Sequence, residues 1–196
     1  VSIEMNLDAR QRTTLPGSGP MIDFNDAETY NNATSLTAFD AKGQEVAVTY
    51  YFQKASTDSW NVYATANGLT VGGAAGSPQP LTTIEFPFDG SAPTSPLGPV
   101  SFDVPASVNS QGAETLPITG VELKLDGATQ FGSPFGVTDL RQDGFSAGLL
   151  TAITVEGNGV ITARYSNGRS RPAGQIEIAT FRNPQGLQAV GDNAWA

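Results

Sequence analysis

Residues 141–196 read RQDGFSAGLLTAITVEGNGVITARYSNGRSRPAGQIEIATFRNPQGLQAVGDNAWA, and they carry the clearest structural signal of the chain. Groups of turn-forming residues recur along this stretch, separated by short segments in which apolar and polar residues alternate: QDG, EGNG, YSNG, NPQGL and GDNAW. Asn-Gly and Asp-Gly steps tolerate a positive φ and reverse the chain within a few residues. The stretch therefore predicts β-hairpins rather than a set of catalytic loops.

The middle of the chain predicts another hairpin. Residues 46–52 (VAVTYYF) are rich in β-branched and aromatic side chains, follow a turn at 39–43, and precede a second strand at 60–64. The second strand ends at Asn67-Gly68, a strong turn signal. Two paired strands are the simplest structure for this pattern.

The remaining segments also favour strands over helices. Residues 1–8 alternate strictly, with every odd-numbered residue from Val1 to Leu7 apolar, and no apolar stripe with helical spacing persists over three turns. Short strands are expected at 84–86, 100–104 and 121–125, and irregular connections at 9–35 (with at most a short helical turn), 72–80 and 87–99. We predict an all-β protein with two small β domains, of sandwich or irregular barrel type, joined by short linkers near 137–145.

Composition argues against most catalytic chemistry. The 196-residue chain has no Cys and no His, so it lacks Ser-His-Asp and Cys-His nucleophile systems, thiolate ligands and the usual proton shuttle at neutral pH. Any catalysis would depend on carboxylates, Lys or Tyr. We expect no catalytic, cofactor-binding or metal-binding residues, and no cofactor.

Charge is distributed unevenly along the chain. Residues 1–140 carry 15 acidic and 5 basic side chains, whereas residues 141–196 carry 4 acidic side chains and 5 arginines. The overall charge of −9 argues against nucleic acid as a partner, because phosphate backbones repel an acidic surface. The boundary near residue 140 is explained either by two domains of different surface charge or by packing of the nearly neutral part against neighbours.

Several segments resemble sites without matching them. Asp23, Asn25, Asp26 and Glu28 lack the Gly and the distal Glu of an EF-hand, so a solvated acidic loop is the simpler interpretation. The run at 72–76 (GGAAG) lacks the Lys and the following helix of a phosphate-binding loop and fits a hairpin tip. Asn32-Ala33-Thr34 matches the glycosylation pattern, which is common by chance.

The aromatic and arginine side chains leave alternatives open. Tyr50, Tyr51, Phe52, Trp60 and Tyr63 either pack in the core or present an aromatic strip to a sugar. In the strand at 46–52, alternation places every even-numbered side chain on one face, which we expect to be buried, with Tyr51 on the other. The arginines at 164, 169 and 171 flank the YSNG turn and are expected to be exposed, where they would suit carboxylates of a neighbouring subunit.

The tail ends in the pattern F-x-N-x-x-G-L-x-x-x-G-x-N-x-W, and residues 39–54 and 60–63 read FDAKGQEVAVTYYFQK and WNVY. Residues 1–8, the segment 36–63 and the tail 141–196 resemble the bacterial flagellar hook protein family, in the same order. The resemblance covers most of the chain but not the terminal helices of that family, and residues 70–137 contribute nothing to it. We therefore expect a piece of a longer protein, since Val1 is not an initiator Met and no charged and apolar leader is present. No run of about 18 apolar residues occurs, so no membrane span is expected.

The resemblance implies a structural role. Residues 1–137 would be an outer inserted β domain, and residues 138–196 the C-terminal half of an inner domain whose N-terminal half lies upstream. The whole protein would form the hook, an extracellular helical tube that acts as a universal joint between motor and filament, with other copies and other flagellar axial proteins as partners and no membrane contact. The isolated fragment is expected to be monomeric.

Two other functions remain as alternatives. An extracellular carbohydrate-binding or adhesin-like β module would need an exposed aromatic strip or a calcium site. A carboxylate-based glycosidase would need two acidic side chains at a fixed separation in a cleft, and no such pair can be assigned from the sequence.

Overall fold

The computed structural model describes residues 1–14, 22–178, 180, 182–192 and 194–195. The chain divides into two compact units, Val1–Ala147 and Gly148–Ala196, which we call the first and second units. Helical structure in the described residues is limited to the 3-10 turns Ala27–Thr29 and Pro184–Gly186. None of the helical segments described is long and apolar enough to span a membrane. The predicted all-β class is confirmed.

The first unit contains twelve of the strands: β1 (Ser2–Asp8), β2 (Asn32–Phe39), β3 (Glu45–Ser56), β4 (Ser59–Ala66), β5 (Leu69–Val71), β6 (Gly73–Ala74), β7 (Ser77–Pro78), β8 (Thr82–Glu85), β9 (Val100–Val104), β10 (Ile118–Leu123), β11 (Thr129–Phe131) and β12 (Gly136–Arg141). The second unit contains β13 (Leu150–Val155), β14 (Val160–Tyr165), β15 (Ser170–Gln175), β16 (Ala189–Gly191) and β17 (Ala194–Trp195).

Two sheets of the first unit share one core. The larger sheet has the antiparallel order β2-β3-β4-β5, and β8 pairs with β4 beside β5. In the other, β1 lies between β12, which is antiparallel to it, and β11, which is parallel. The β9–β10 pair adjoins β1 through a bridge between Ser2 and Lys124. Strands from both sheets contribute to a single buried cluster.

The core confirms the predicted alternation. Val46, Val48, Tyr50 and Phe52 point inward from β3 and are at most 2% exposed, while Trp60 is fully buried beside them on β4. From the opposite sheet, every odd-numbered residue of β1 is buried. Burial of these large side chains is the main favourable term in folding, at about 25 cal/mol per Å² of apolar surface.

The strand at Asn32–Phe39 was not predicted, because the sequence suggested that the loop beginning at residue 9 continues to residue 35. The residues of β2 are mostly small and polar, so their alternation has little hydrophobic contrast. Pairing with β3 along the whole strand is what makes the segment extended, and Leu36 packs against the core from it. Part of the predicted loop, residues 15–21, lies outside the described residues.

Four turns share one geometry. In each, the first residue donates its N–H to the C=O of the fifth and accepts the N–H of a glycine at the fourth position. The glycine has a φ of +75° to +83°, which closes a hairpin with a bulge. The turns are Asp40–Gln44, Asn109–Ala113, Glu156–Val160 and Tyr165–Arg169. The last two are the EGNG and YSNG signals, so the predicted hairpins of the tail are confirmed there.

Candidate assembly surfaces

Asp40 is a structural carboxylate of the β2–β3 turn. One oxygen, Oδ1, accepts the backbone N–H groups of Lys42 and Gln44, both at 2.8 Å, and Oδ2 accepts that of Leu116 at 2.7 Å. Burial on its own would raise the pKa of Asp40, but these hydrogen bonds, with the nearby Lys42 charge, hold the pKa below its ordinary value. Asn109 supports its turn in the same way, accepting from Gln111 and Ala113.

Asp8 and Arg10 form a bidentate pair at the end of β1. The guanidinium Nε and Nη2 lie 2.9 and 2.8 Å from the two carboxylate oxygens, and the backbone N–H of Arg10 also donates to Asp8. These hydrogen bonds lower the pKa of Asp8 to about 2. The pair fixes the chain direction where it leaves the sheet.

Lys54 anchors the segment that follows. Its ammonium donates to the carbonyl oxygens of Ala9 and Gln11 and lies 5.5 Å from the centre of the Trp60 ring. Burial is the main cause of its lowered pKa. Trp60 in turn donates its indole N–H to Gln130 at 2.6 Å. These contacts bind the segment after β1 to the β3–β4 hairpin and so stabilise the fold.

The carboxylates of the acidic loop at residues 23–28 bind groups of the protein itself. Asp23 accepts the backbone N–H of Asn25, Asp26 caps the 3-10 turn through Glu28, and Glu28 pairs with Arg12 at 2.6 Å in solvent. Among the described residues no cluster of three or more His, Cys, Asp or Glu side chains is placed to hold a metal ion. Residues 73–78 form a small hairpin through β6 and β7, which confirms the hairpin tip predicted there.

The aromatic residues do not form an open strip. Trp60 is fully buried, as the core interpretation predicted, and Tyr63 is 7% exposed. Tyr51 lies on the outer face, as predicted, but its ring is 4.7 Å from Phe24 and 4.9 Å from Tyr30, centre to centre. The loop before β2 therefore covers this face with its own rings, and the observation that would favour a carbohydrate-binding module is missing from the described surface.

The second unit presents an uncovered amphipathic sheet. Cross-strand pairing places Ile153 beside Ala163 and Val155 beside Ile161 on one face, and Thr154 beside Thr162 on the other. Ile153 and Val155 are 62% and 59% exposed. Ala163 is the only hydrophobic residue in the described part of this unit that counts as buried. An apolar sheet face of this kind requires a covering layer.

The arginines of the second unit are exposed, as predicted. Arg164 and Arg171 lie on β14 and β15, and Arg169 lies in the turn between them. Whether these arginines meet carboxylates of a neighbouring subunit stays a prediction.

The first and last strands of the first unit are neighbours in one sheet. Ser2 of β1 is directly opposite Arg141 of β12. A polar cleft of about 340 Å³ lies at this end, lined by residues that include Glu122, Lys124 and Asp143. Close first and last strands are common in domains that tolerate insertion into another domain.

The comparisons with known proteins agree on one family. Residues 6–145 match the model of the flagellar basal body protein FlaE D2 domain. The flagellar hook protein FlgE of Escherichia coli K12 is 29% identical over 195 residues, covering all of this chain and 45% of that protein. FlgE of Helicobacter pylori 26695 is 27% identical over 169 residues, covering 84% and 23%. The chain thus spans less than half the length of these relatives.

A solved structure was also found. The crystal structure of Helicobacter pylori flagellar hook protein FlgE2 aligns with 84% of this chain and 36% of its own, at 21% identity and a TM-score of 0.46.

Proposed function

The chain belongs to the FlaE D2 domain family of flagellar basal body proteins, and we propose that it is part of a structural subunit of the bacterial flagellar hook. The observation that carries the proposal is the family match over residues 6–145, joined by the similarity of the whole chain to FlgE of Escherichia coli. The subunit would polymerise with other copies of itself into an extracellular tube that transmits motor torque to the filament. Its role would be mechanical rather than catalytic.

We also propose that the two units belong to different layers of the full-length subunit. The adjacent positions of Ser2 and Arg141 support an inserted outer domain, predicted from the sequence as residues 1–137. The exposed apolar face on β13 and β14 supports the second part of that prediction, in which residues 138–196 are half of an inner domain. The segment that completes this domain would come from the remaining length of the polypeptide, since the relatives are more than twice as long as this chain.

The surface of the first unit suits a joint that bends on every turn. As the tube rotates, each outer domain must break and re-form its contacts with neighbouring outer domains without leaving the polymer. Small polar interfaces can be broken and re-formed in this way at low cost. Sixteen acidic and six basic side chains give this unit a net charge of −10, which limits its association with copies of itself outside the polymer. We expect the isolated chain to be monomeric at micromolar concentration by light scattering.

Complementation tests the proposal. A hook-null strain of the matching species receives the full-length parent gene, either intact or lacking the segment that encodes residues 142–195. Curved hooks and swimming restored only by the intact gene would support the proposed function. If the intact gene restored neither hooks nor swimming although the protein was made and exported, the proposal would be wrong.

A further inference from the structure

We propose that the free edge of β2 is an assembly site that accepts an extended strand from a second copy of this protein. The inference rests on the proposed function, because it names a contact that the hook polymer would use. It follows from the position of β2 in its sheet, from the direction of its backbone groups, and from its lack of charge.

β2 is the outermost strand of the larger sheet. It pairs along its whole length, Asn32–Phe39, with β3 and with no other strand among the described residues. The register shows no bulge, so the strand is regular over eight residues. A regular edge strand presents a row of unpaired N–H and C=O groups, which is a template for another strand.

The hydrogen-bond pattern identifies the unpaired groups. The turn Asp40–Gln44 closes with a hydrogen bond from the N–H of Asp40 to the C=O of Gln44. From this pair along the strands, opposed residues of an antiparallel ladder alternate between hydrogen-bonded and non-hydrogen-bonded pairs. The N–H and C=O groups of residues 34, 36 and 38 therefore face β3. Those of Ala33, Ser35 and Thr37 face outward, and none of them has a backbone partner in the described part of the chain.

The side chains of β2 do nothing to block this edge. Residues 29–39 contain no charged residue, and β2 contains neither Pro nor Gly. The other edge strands described in the first unit are shorter than five residues or carry a charge, such as Asp103 on β9 and Asp139 on β12. Natural edges are usually protected by such charges, by Pro or by bulges.

The proposed polymer supplies the occupant, because it places copies of this protein side by side. Two first units, each with a net charge of −10, repel one another, but a strand added at β2 puts no charged side chain of β2 against the second copy. One added strand buries too little surface for a stable dimer in dilute solution, so the contact would form when other contacts in the polymer hold two copies together. Backbone hydrogen bonds would supply the attraction.

Hydrogen exchange on the full-length protein provides the direct test. In the unassembled subunit the amides of Ala33, Ser35 and Thr37 should exchange quickly, while those of Thr34, Leu36 and Ala38 are already slow. On assembly the exchange rates of Ala33, Ser35 and Thr37 should fall by about tenfold or more, whereas those of Thr34, Leu36 and Ala38 are not required to change. If the odd-numbered amides exchange equally fast in assembled hooks, the proposal is overturned.

A matched pair of variants tests whether the contact matters. Thr37→Lys places a cation beside the free edge. Ala47 is the cross-strand partner of Thr37, so Ala47→Lys places a cation on the same outer face of the sheet. Ala47 lies on β3, however, which is paired with β2 on one side and β4 on the other. Both positions are exposed. We expect Thr37→Lys, alone or with Ser35→Lys, to reduce hook assembly about tenfold or more while Ala47→Lys assembles normally. If the Thr37→Lys and Ala47→Lys proteins form hooks in equal amounts, the proposed edge contact is refuted.

The two levels of inference fail separately. If the unaltered full-length protein builds no hook, the proposed function is wrong and the edge proposal falls with it. If it builds hooks and Thr37→Lys builds them equally well, the function stands and the edge proposal is wrong. This chain contributes no Cys, so in a full-length protein without other cysteines a Ser35→Cys variant also allows the partner peptide to be identified by crosslinking, and a crosslinked peptide that is not from a second copy would overturn the proposal.

Discussion

Gly43 and Gly112 occupy the same position of the same type of turn, with φ of +75° and +79°. They differ in what surrounds them. A Cβ on Gly43 would lie 2.3 Å from the backbone nitrogen of Ala147, whereas a Cβ on Gly112 would meet nothing within 4 Å. The segment that ends the first unit is therefore packed directly on the β2–β3 turn, and only a glycine permits it.

Alanine substitutions separate backbone strain from this close approach. Gly112→Ala should lower the free energy of unfolding by about 1 kcal/mol, the cost of left-handed backbone for a residue with a Cβ. Gly43→Ala should lower it by about 2 kcal/mol more, since the clash is with backbone that cannot rotate away. Urea denaturation of both variants checks this difference, and equal losses would show that residues 144–147 do not pack on the turn.

Tyr50 carries the one buried side-chain oxygen or nitrogen in the described residues that has no hydrogen-bond partner. The ring is fully buried, and burial raises the pKa of its hydroxyl. Removing an unsatisfied buried hydroxyl relieves a desolvation cost, so Tyr50→Phe should leave stability unchanged or raise it by about 1 kcal/mol. The control is Tyr63→Phe, which loses a bond to Gln53. A marked loss in Tyr50→Phe, measured by urea denaturation, would contradict this.

At the level of secondary structure, Asp40 makes the β2–β3 turn sensitive to acid. Its pKa is lowered in the folded state, so the folded protein binds fewer protons here than the unfolded chain. The stabilisation is complete above the unfolded value, about 3.9, and is lost as the pH falls through the folded value. Stability should therefore decline below about pH 4.

Asp40→Asn should weaken that decline and lower stability at neutral pH by about 1–3 kcal/mol. The amide oxygen can still accept from Lys42 and Gln44, as Asn109 does in its own turn, but the amide nitrogen cannot accept the N–H of Leu116. Glu45→Gln, which removes an exposed carboxylate from the adjoining strand, is the control. The measurement is unfolding free energy against pH between about 2 and 7. An unchanged acid profile in Asp40→Asn would assign the effect elsewhere, Asp8 being the next candidate.

Strands were predictable where side chains alternate in hydrophobicity. The buried face of β3 and the hairpins at Gly159 and Gly168 follow from residue pattern and turn chemistry alone. β2 was not found, because small and polar residues give no contrast between its faces and only pairing with β3 makes it a strand. Its free edge, the surface that carries the further inference, was equally hidden, since an edge is a property of sheet order.

Long-range pairing was also beyond the sequence. Ser2 and Arg141 are cross-strand partners although most of the first unit's sequence lies between them. No residue pattern in either segment identifies the other as its partner. The same holds for Asp40 and Leu116, whose contact supports a turn that local residues otherwise explain. Local chemistry thus predicted the turns, and topology determined which surfaces remain for assembly.

For the whole molecule, the unequal burial of the two units predicts unequal stability. The first unit has a core of large buried side chains from two sheets, whereas the described part of the second buries only Ala163 among its hydrophobic residues. A sheet of three strands with an open apolar face gains little from burial. In the isolated chain, amides of β13–β15 should therefore exchange well before those of β3 and β4.

Truncation makes this prediction decisive. A protein ending at Ala147 retains every strand of the first unit and the contact of residues 144–147 with Gly43, so it should unfold cooperatively with the same midpoint in urea as the first unit of the full chain. Limited proteolysis of the full chain should cut within residues 148–196 and leave a stable fragment near this length. A truncated protein that is unfolded would mean that the second unit contributes to the stability of the first. A second unit that resists exchange as strongly as β3 would contradict the predicted order of stability, and its exposed apolar face on β13 and β14 would then not weaken it.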